Sequence, residues 1–204
     1  MQKMAIFGAG GHGAVVADIL ESRGISYLVI DDMPEKKALN GISAMAKEEF
    51  LSLSNAKEYG ILLAIGDNAV RKNLYTFFVQ NGFCLPFVSH SSAIISKSAK
   101  IADGVVVMPN AVINARAKIG KGAIINTSSV VEHDCSVGDF THIAPNATLC
   151  GGVSVGDFTH IGAGSVVIEG KSVGDYCIIG AGSVVISAIP SHKKIVGNPA
   201  KREL

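Results

Sequence analysis

From residue 95 onward the apolar positions of this chain recur every six residues. Ile95, Ile101, Val107, Ile113, Ile119 and Ile125 open a series that runs to Val185, and all sixteen of its members are Ile, Val or Leu. The fifth position of each hexad is small in fourteen of the sixteen, Lys171 and Ile189 being the exceptions. A sustained period of six is the mark of a solenoid rather than of an amphipathic helix or a single strand. A longer repeat lies over it. VGDFTH starts at 137 and 155, VGDYCI at 173, and IGAGSV at 161 and 179, so the spacing is eighteen residues. Eighteen is three hexads, which predicts coils of three short strands, each bonded to the coils above and below at about 4.8 Å. The expected product is a parallel β-helix of a little over five coils. Asp139, Asp157 and Asp175 form one vertical row, as Gly-Asp turns at a coil corner would. Phe140, Phe158 and Tyr176 form another. The hexad containing Glu169, Gly170 and Lys171 breaks the inward rule and is expected to bulge out as a loop.

The first ninety residues follow a different pattern. An apolar strand at Lys3–Phe7 runs into Gly8-Ala9-Gly10-Gly11-His12-Gly13 and then a helical stretch. The next strand, Tyr27–Ile30, ends in Asp31-Asp32. Glycines between strand and helix, with acids about twenty residues on, fit a phosphate-binding βαβ unit whose helix N-terminus offers free N–H groups. A third strand is expected at Ile61–Ile65, leading to Gly66-Asp67-Asn68, with Arg71-Lys72 opening a helix and a fourth strand at Leu85–Val88. Ninety residues hold one such half, so one nucleotide rather than a dinucleotide is the expected ligand. A glycine turn needed only for packing is the plainer alternative. The expected architecture is therefore α/β plus all-β: a small Rossmann-like domain over residues 1–90, then a β-helix with a short tail over 91–204.

Composition narrows the function. Eighteen Lys and Arg against seventeen Asp and Glu leave a net charge of +1, which argues against a nucleic-acid partner. Charged residues at 17% and hydrophobic ones at 48% exclude disorder, and no apolar run reaches the roughly 18 residues that would suggest a membrane span. The N-terminal stretch turns to glycine too early for a secretion signal, and four cysteines without a CxxC pair suggest neither zinc nor a disulfide framework. A reducing cytoplasm is the expected location. The 23 glycines and the lack of tryptophan fit a narrow prism filled with small and β-branched side chains.

Candidate chemistry gathers in the hexads. His133 takes the third slot of its hexad, not an inward first or fifth slot, and so faces outward between Glu132 and Asp134. An outward imidazole is ordinarily a plain surface group, but beside a carboxylate it suits general-base work near neutral pH. Such a base can take the proton from an attacking nucleophile, and no cysteine nucleophile is needed if both substrates bind together. His142 and His160 share one row. Their spacings of nine and eighteen do not match a three-histidine metal site, so no metal is expected.

The repeat resembles the hexapeptide-repeat acyltransferases, whose left-handed β-helices associate as trimers with acetyl-CoA between neighbours. The same helix also carries γ-class carbonic anhydrases and structural domains. More narrowly, FGAGGHG, the IDD after strand two, AIGDNAVRKNL, INTSSVVEHDC and VGNPAKREL resemble bacterial acetyltransferases of UDP-linked 4-amino sugars and their sialic-acid O-acetyltransferase relatives. The resemblance implies that Gly10, Gly11, His12, Asp31, Asp32 and Gly66 hold the UDP-sugar, with Asn126 close to the reacting sugar. It implies His133 as general base and Asp134 as the acid that raises its basicity, where the family often has Glu. It implies His142 as an acetyl-CoA contact. Ala163 and Ala181, flanked by glycines along a coil edge, are the expected backbone partners of the pantetheine arm, and Lys201 and Arg202 are candidates for the CoA phosphates. Sugar O-acetylation and a non-catalytic nucleotide-sugar scaffold remain as alternatives.

Overall fold

The computed structural model describes residues 3–204. Strand β1 (Lys3–Phe7) lies between β2 (Tyr27–Ile30) and β5 (Tyr59–Leu63), parallel to both. Strands β3 (Ala38–Leu39) and β4 (Ile42–Met45) complete the order β3-β4-β2-β1-β5. Met4 to Phe7 are all buried because helices cover both faces. Helix α1 (Gly11–Glu21) supplies Val16, Ala17, Ile19 and Leu20 on one side. On the other, Phe78 of α3 (Asn68–Gln80) meets Phe7 edge-to-face, and α2 (Lys47–Ser52) adds the buried Phe50.

Three sequence expectations change here. The third parallel strand is Tyr59–Leu63 rather than Ile61–Ile65, since Ala64 and Ile65 already leave the sheet toward Gly66. The β3–β4 hairpin was not anticipated. It turns on Asn40-Gly41, both in the left-handed region that a two-residue hairpin turn requires. Leu85–Val88 is not a fourth strand of this sheet: only Val88–Ser89 is extended, and it pairs with Val106–Val107 of the solenoid.

The solenoid is a left-handed parallel β-helix of two-residue strands. The second residue of each strand is the first position of a hexad and points inward. Three faces result. The first runs from Val88–Ser89 to Lys194–Val196 and is closed by an antiparallel Arg202–Glu203. The second runs from Ile94–Ile95 to Val184–Val185, and the third from Lys100–Ile101 to Ser172–Val173. The first face thus extends one strand beyond the hexad series at each end. The expected bulge at Glu169–Lys171 is absent. Ser172–Val173 pairs in register with Ser154–Val155, because Gly170 supplies the left-handed turn and Ser154 needs only the backbone carbonyl of Lys171. The period breaks later, where Ile189 pairs with Val173 sixteen residues away. There Ser191 Oγ accepts the Asp175 N–H at 2.9 Å, the place that Asp157 and Asp175 fill in the coils below.

Arg71 fastens the two parts together. Its guanidinium is completely buried, donating to the carbonyls of Gly122 (2.7 Å) and Phe140 (2.8 Å) in the solenoid and of Ile65 (2.9 Å) and Gly66 in its own domain. Burial lowers its pKa to about 10, which leaves it cationic at neutral pH. Tyr75 packs edge-to-face on Phe140 beside it.

Candidate active site

The glycine loop is shaped by two glycines and left open by two others. Gly8 sits at φ 111, and a Cβ there would lie 2.8 Å from the Ala64 carbonyl oxygen. A Cβ on Gly13 would overlap the carbonyl oxygen of Gly8. Gly10, the residue before α1, and Gly11 face empty space, as does Gly66 in the loop between β5 and α3. Asp31 is buried and already engaged: its carboxylate accepts the N–H groups of Ala9 (2.9 Å) and Met33 (2.9 Å) and the ammonium of Lys37 (2.7 Å). Burial alone would raise its pKa, but Lys37 and the two N–H groups outweigh that and hold it low. Asp31 therefore clasps the loop to the end of β2, whereas Asp32 is exposed near Lys47. A cavity of about 360 Å³ opens between Gly66, Asp67, Asn68 and Ala69 on one side and Phe158, His160, Tyr176 and Ile178 of the solenoid on the other. Asp67 caps α3 by accepting the Val70 N–H at 2.8 Å, so the first turn of that helix borders the cavity.

His12 leaves the glycine loop toward the first face of the solenoid. Its Nε2 is buried without a hydrogen-bond partner among the described residues. Burial, then the charge of Arg71, lowers its pKa to about 4. On the solenoid, His142 and His160 stack edge-to-face at 4.9 Å. His142 Nε2 lies 2.9 Å from the amide nitrogen of Asn126, which acts as donor to a neutral ring. Burial, then His160, Arg71 and His12, push the His142 pKa down to about 3. The structure thus gathers His12, His142, His160 and Asn126 on one face with the cavity beside them. All three rings are held neutral.

His133 and Asp134 lie elsewhere, at the corner joining the second and third faces. His133 Nδ1 is 2.9 Å from Asp134 Oδ2, and both side chains are about half exposed. With Nδ1–H donated to the carboxylate, Nε2 carries the free lone pair. Glu132 accepts from Asn114 (2.8 Å) and from the His133 backbone N–H (3.1 Å), so it braces the turn instead of touching the ring. Directly above, a Cβ on Gly151 would lie 2.7 Å from His133 Cε1, so only glycine gives the ring its present room. Asp134 also receives a two-pronged bond from Arg116, Nε to Oδ1 at 2.6 Å and Nη2 to Oδ2 at 2.7 Å. Arg116 first, and His133 second, hold the carboxyl well below the usual carboxylate range.

Ala163 and Ala181 are exposed and stacked eighteen apart at a third location, the corner between the first and second faces. Lys201 and Arg202 are exposed on the tail. In one chain, then, the histidine–acid pair and the cavity beside the glycine loop occupy different sides of the prism. Sequence reading gives no role to Arg116 or Gly151 and offers Arg71 only as the opening of a helix, which in fact begins at Asn68. Arg116 and Gly151 sit eighteen residues before Asp134 and after His133, so coil arithmetic would have found them. Nothing in the local sequence marks Arg71 as buried.

Known proteins resemble the chain in both of its parts. The PglD N-terminal domain matches residues 3–78, and bacterial transferase hexapeptide repeats match segments from 98 to 169. The acetyltransferase domain of PglB from Neisseria gonorrhoeae, solved with acetyl coenzyme A, is 36% identical, with a TM-score of 0.93 over 98% of each chain. PerB from Caulobacter crescentus, solved with CoA and GDP-perosamine, is 37% identical with a TM-score of 0.92, covering 98% of this chain and 96% of that one. UDP-N-acetylbacillosamine N-acetyltransferase of Bacillus subtilis is 38% identical over 118 residues, a match that spans 53% of this chain and 52% of that relative. The chain belongs to the hexapeptide-repeat acetyltransferases that carry a PglD-type N-terminal domain.

Proposed function

We propose that this protein transfers the acetyl group of acetyl-CoA to the 4-amino group of a nucleotide-linked amino sugar, UDP being the expected nucleotide. The observation that carries the reading is the outward His133–Asp134 pair, 2.9 Å apart and given room by Gly151. The open glycines at 10, 11 and 66 and the polar N-terminus of α3 suit a pyrophosphate. Asp32, exposed beside that loop, is the free acid for the ribose, while Asp31 shapes the loop. Ala163 and Ala181 line a bare edge on which a pantetheine arm can lie.

In the reaction the amine nitrogen attacks the thioester carbonyl carbon. The N–C bond forms, the C–S bond breaks, and the proton lost by nitrogen passes to His133 Nε2 and on to the departing thiolate. Asp134 keeps the ring in the tautomer that leaves Nε2 free and stabilises the imidazolium that forms. The nucleotide-facing groups lie on the first face and His133 on the far corner, so a complete site needs two copies of the chain. A homotrimer in the cytoplasm, with His133 of each copy serving the pocket of its neighbour, meets that need. Two substrates bound side by side require no covalent intermediate.

The test is thiol release from acetyl-CoA with UDP- and GDP-linked 4-amino sugars and with sialic acid, for the native chain and for His133→Ala. Turnover on an amino sugar that is lost in the variant supports the proposal. Turnover on sialic acid alone would move the reaction to a hydroxyl. Tight nucleotide-sugar binding without turnover would make the protein a scaffold.

A further inference from the structure

We propose that Arg116 is a positioning residue that sets the basicity of His133 through Asp134. The inference rests on the reading of His133 as general base. Its geometry is independent of that reading. Asp134 Oδ2 is shared: it accepts Nδ1–H of His133 at 2.9 Å and Nη2–H of Arg116 at 2.7 Å, while Nε–H of Arg116 holds Oδ1 at 2.6 Å. Three donors leave this carboxylate one orientation, and that orientation aims Oδ2 at the imidazole.

The stacking of the coils brings the two residues together. Arg116 and Asp134 occupy the same turn position one coil apart, both at φ 62, and the two coils above carry Gly152 and Gly170 there.

The electrostatic consequence has a definite sign. An unshared carboxylate next to an imidazole favours the imidazolium and raises its pKa. Arg116 places a positive charge on the same carboxylate and offsets part of that field. The other charged or titratable groups around the ring are Glu132 beside it, Cys150 in the coil above and Glu169 one coil further, with none of them bonded to its nitrogens.

The experiment is a proton NMR titration of the His133 ring in the full-length protein, with Arg116→Gln, Arg116→Lys and Asp134→Asn compared to the native chain. The pH profile of kcat/KM is recorded alongside. Arg116→Gln is expected to raise the His133 midpoint by about half to one pH unit, and Asp134→Asn to lower it. Arg116→Lys, which keeps the charge but not the two-pronged bond, is expected to lie between native and Gln. A midpoint that moves in Asp134→Asn but not in Arg116→Gln overturns the role of Arg116. A midpoint that moves in Arg116→Gln while the acid limb of kcat/KM stays put leaves that role intact and overturns His133 as the base.

Discussion

Around His133, one carboxylate and one missing side chain govern the site. Asp134→Asn removes the charge that stabilises the imidazolium, so the acid limb of kcat/KM should move to lower pH and the rate should fall by roughly ten- to a hundredfold. Steady-state kinetics across pH checks both effects, and an unmoved limb would mean that Asp134 does not act on the ring. Gly151→Ala places a methyl where the ring now lies, and the ring, at the end of a rotatable side chain, yields before the coil does. We expect a near-native melting temperature with kcat/KM reduced about tenfold or more, since a displacement near 1 Å is enough to misalign a base. The Glu132-His133-Asp134 tripeptide is legible from sequence because the hexad fixes which slots face outward. Arg116 is not, because its partner lies eighteen residues away and meets it only when coils stack. Asp31 is a mixed case. Its place after β2 invites a ligand role, and the structure adds a local one, since its oxygens accept from Ala9, Met33 and Lys37.

Among the elements, α3 determines how the N-terminal domain sits on the solenoid, chiefly through Arg71. Arg71→Met would leave the carbonyls of Gly122 and Phe140 without their buried donor, at a loss of about 2–4 kcal/mol. Calorimetry should then separate the melting of the N-terminal domain from that of the solenoid, and a single unshifted transition would refute the fastening role. The histidines at this junction make a pH prediction. His12 and His142 titrate near 4 and 3 when folded against 6.5 as free side chains, so the unfolded chain binds more protons between those values. Stability is therefore full above about pH 6.5 and falls as the pH drops toward 3. Each histidine contributes about 1.4 kcal/mol per pH unit within its window. Melting temperatures between pH 7 and 4 check this, and His142→Asn should flatten the slope. The solenoid was legible strand by strand because its period is strict and its turns repeat. The β3–β4 hairpin carries an Asn-Gly signal but has strands too short for periodicity to register. Val88–Ser89 reads like a sheet strand until it finds its partner in the coil.

For the whole molecule, the solenoid acts as a ruler that holds three groups apart. His133 faces out at one corner, the cavity beside Gly66 lies against the first face, and a bare edge with Ala163 and Ala181 lies at another corner. Closing a ring of identical copies brings unlike corners together without any change within a chain. That account stands or falls on whether one copy supplies the base for the pocket of another. The decisive measurement is thiol release by a mixture of His133→Ala and Gly66→Trp chains after subunit exchange. Each variant alone is expected to be inactive, one for lack of the base and the other because the indole fills the cavity. Mixed at equal amounts, about a quarter of the boundary sites would pair an intact base with an intact pocket, and activity should recover to about that fraction. A mixture as inactive as its components would place base and pocket in the same chain and contradict the account.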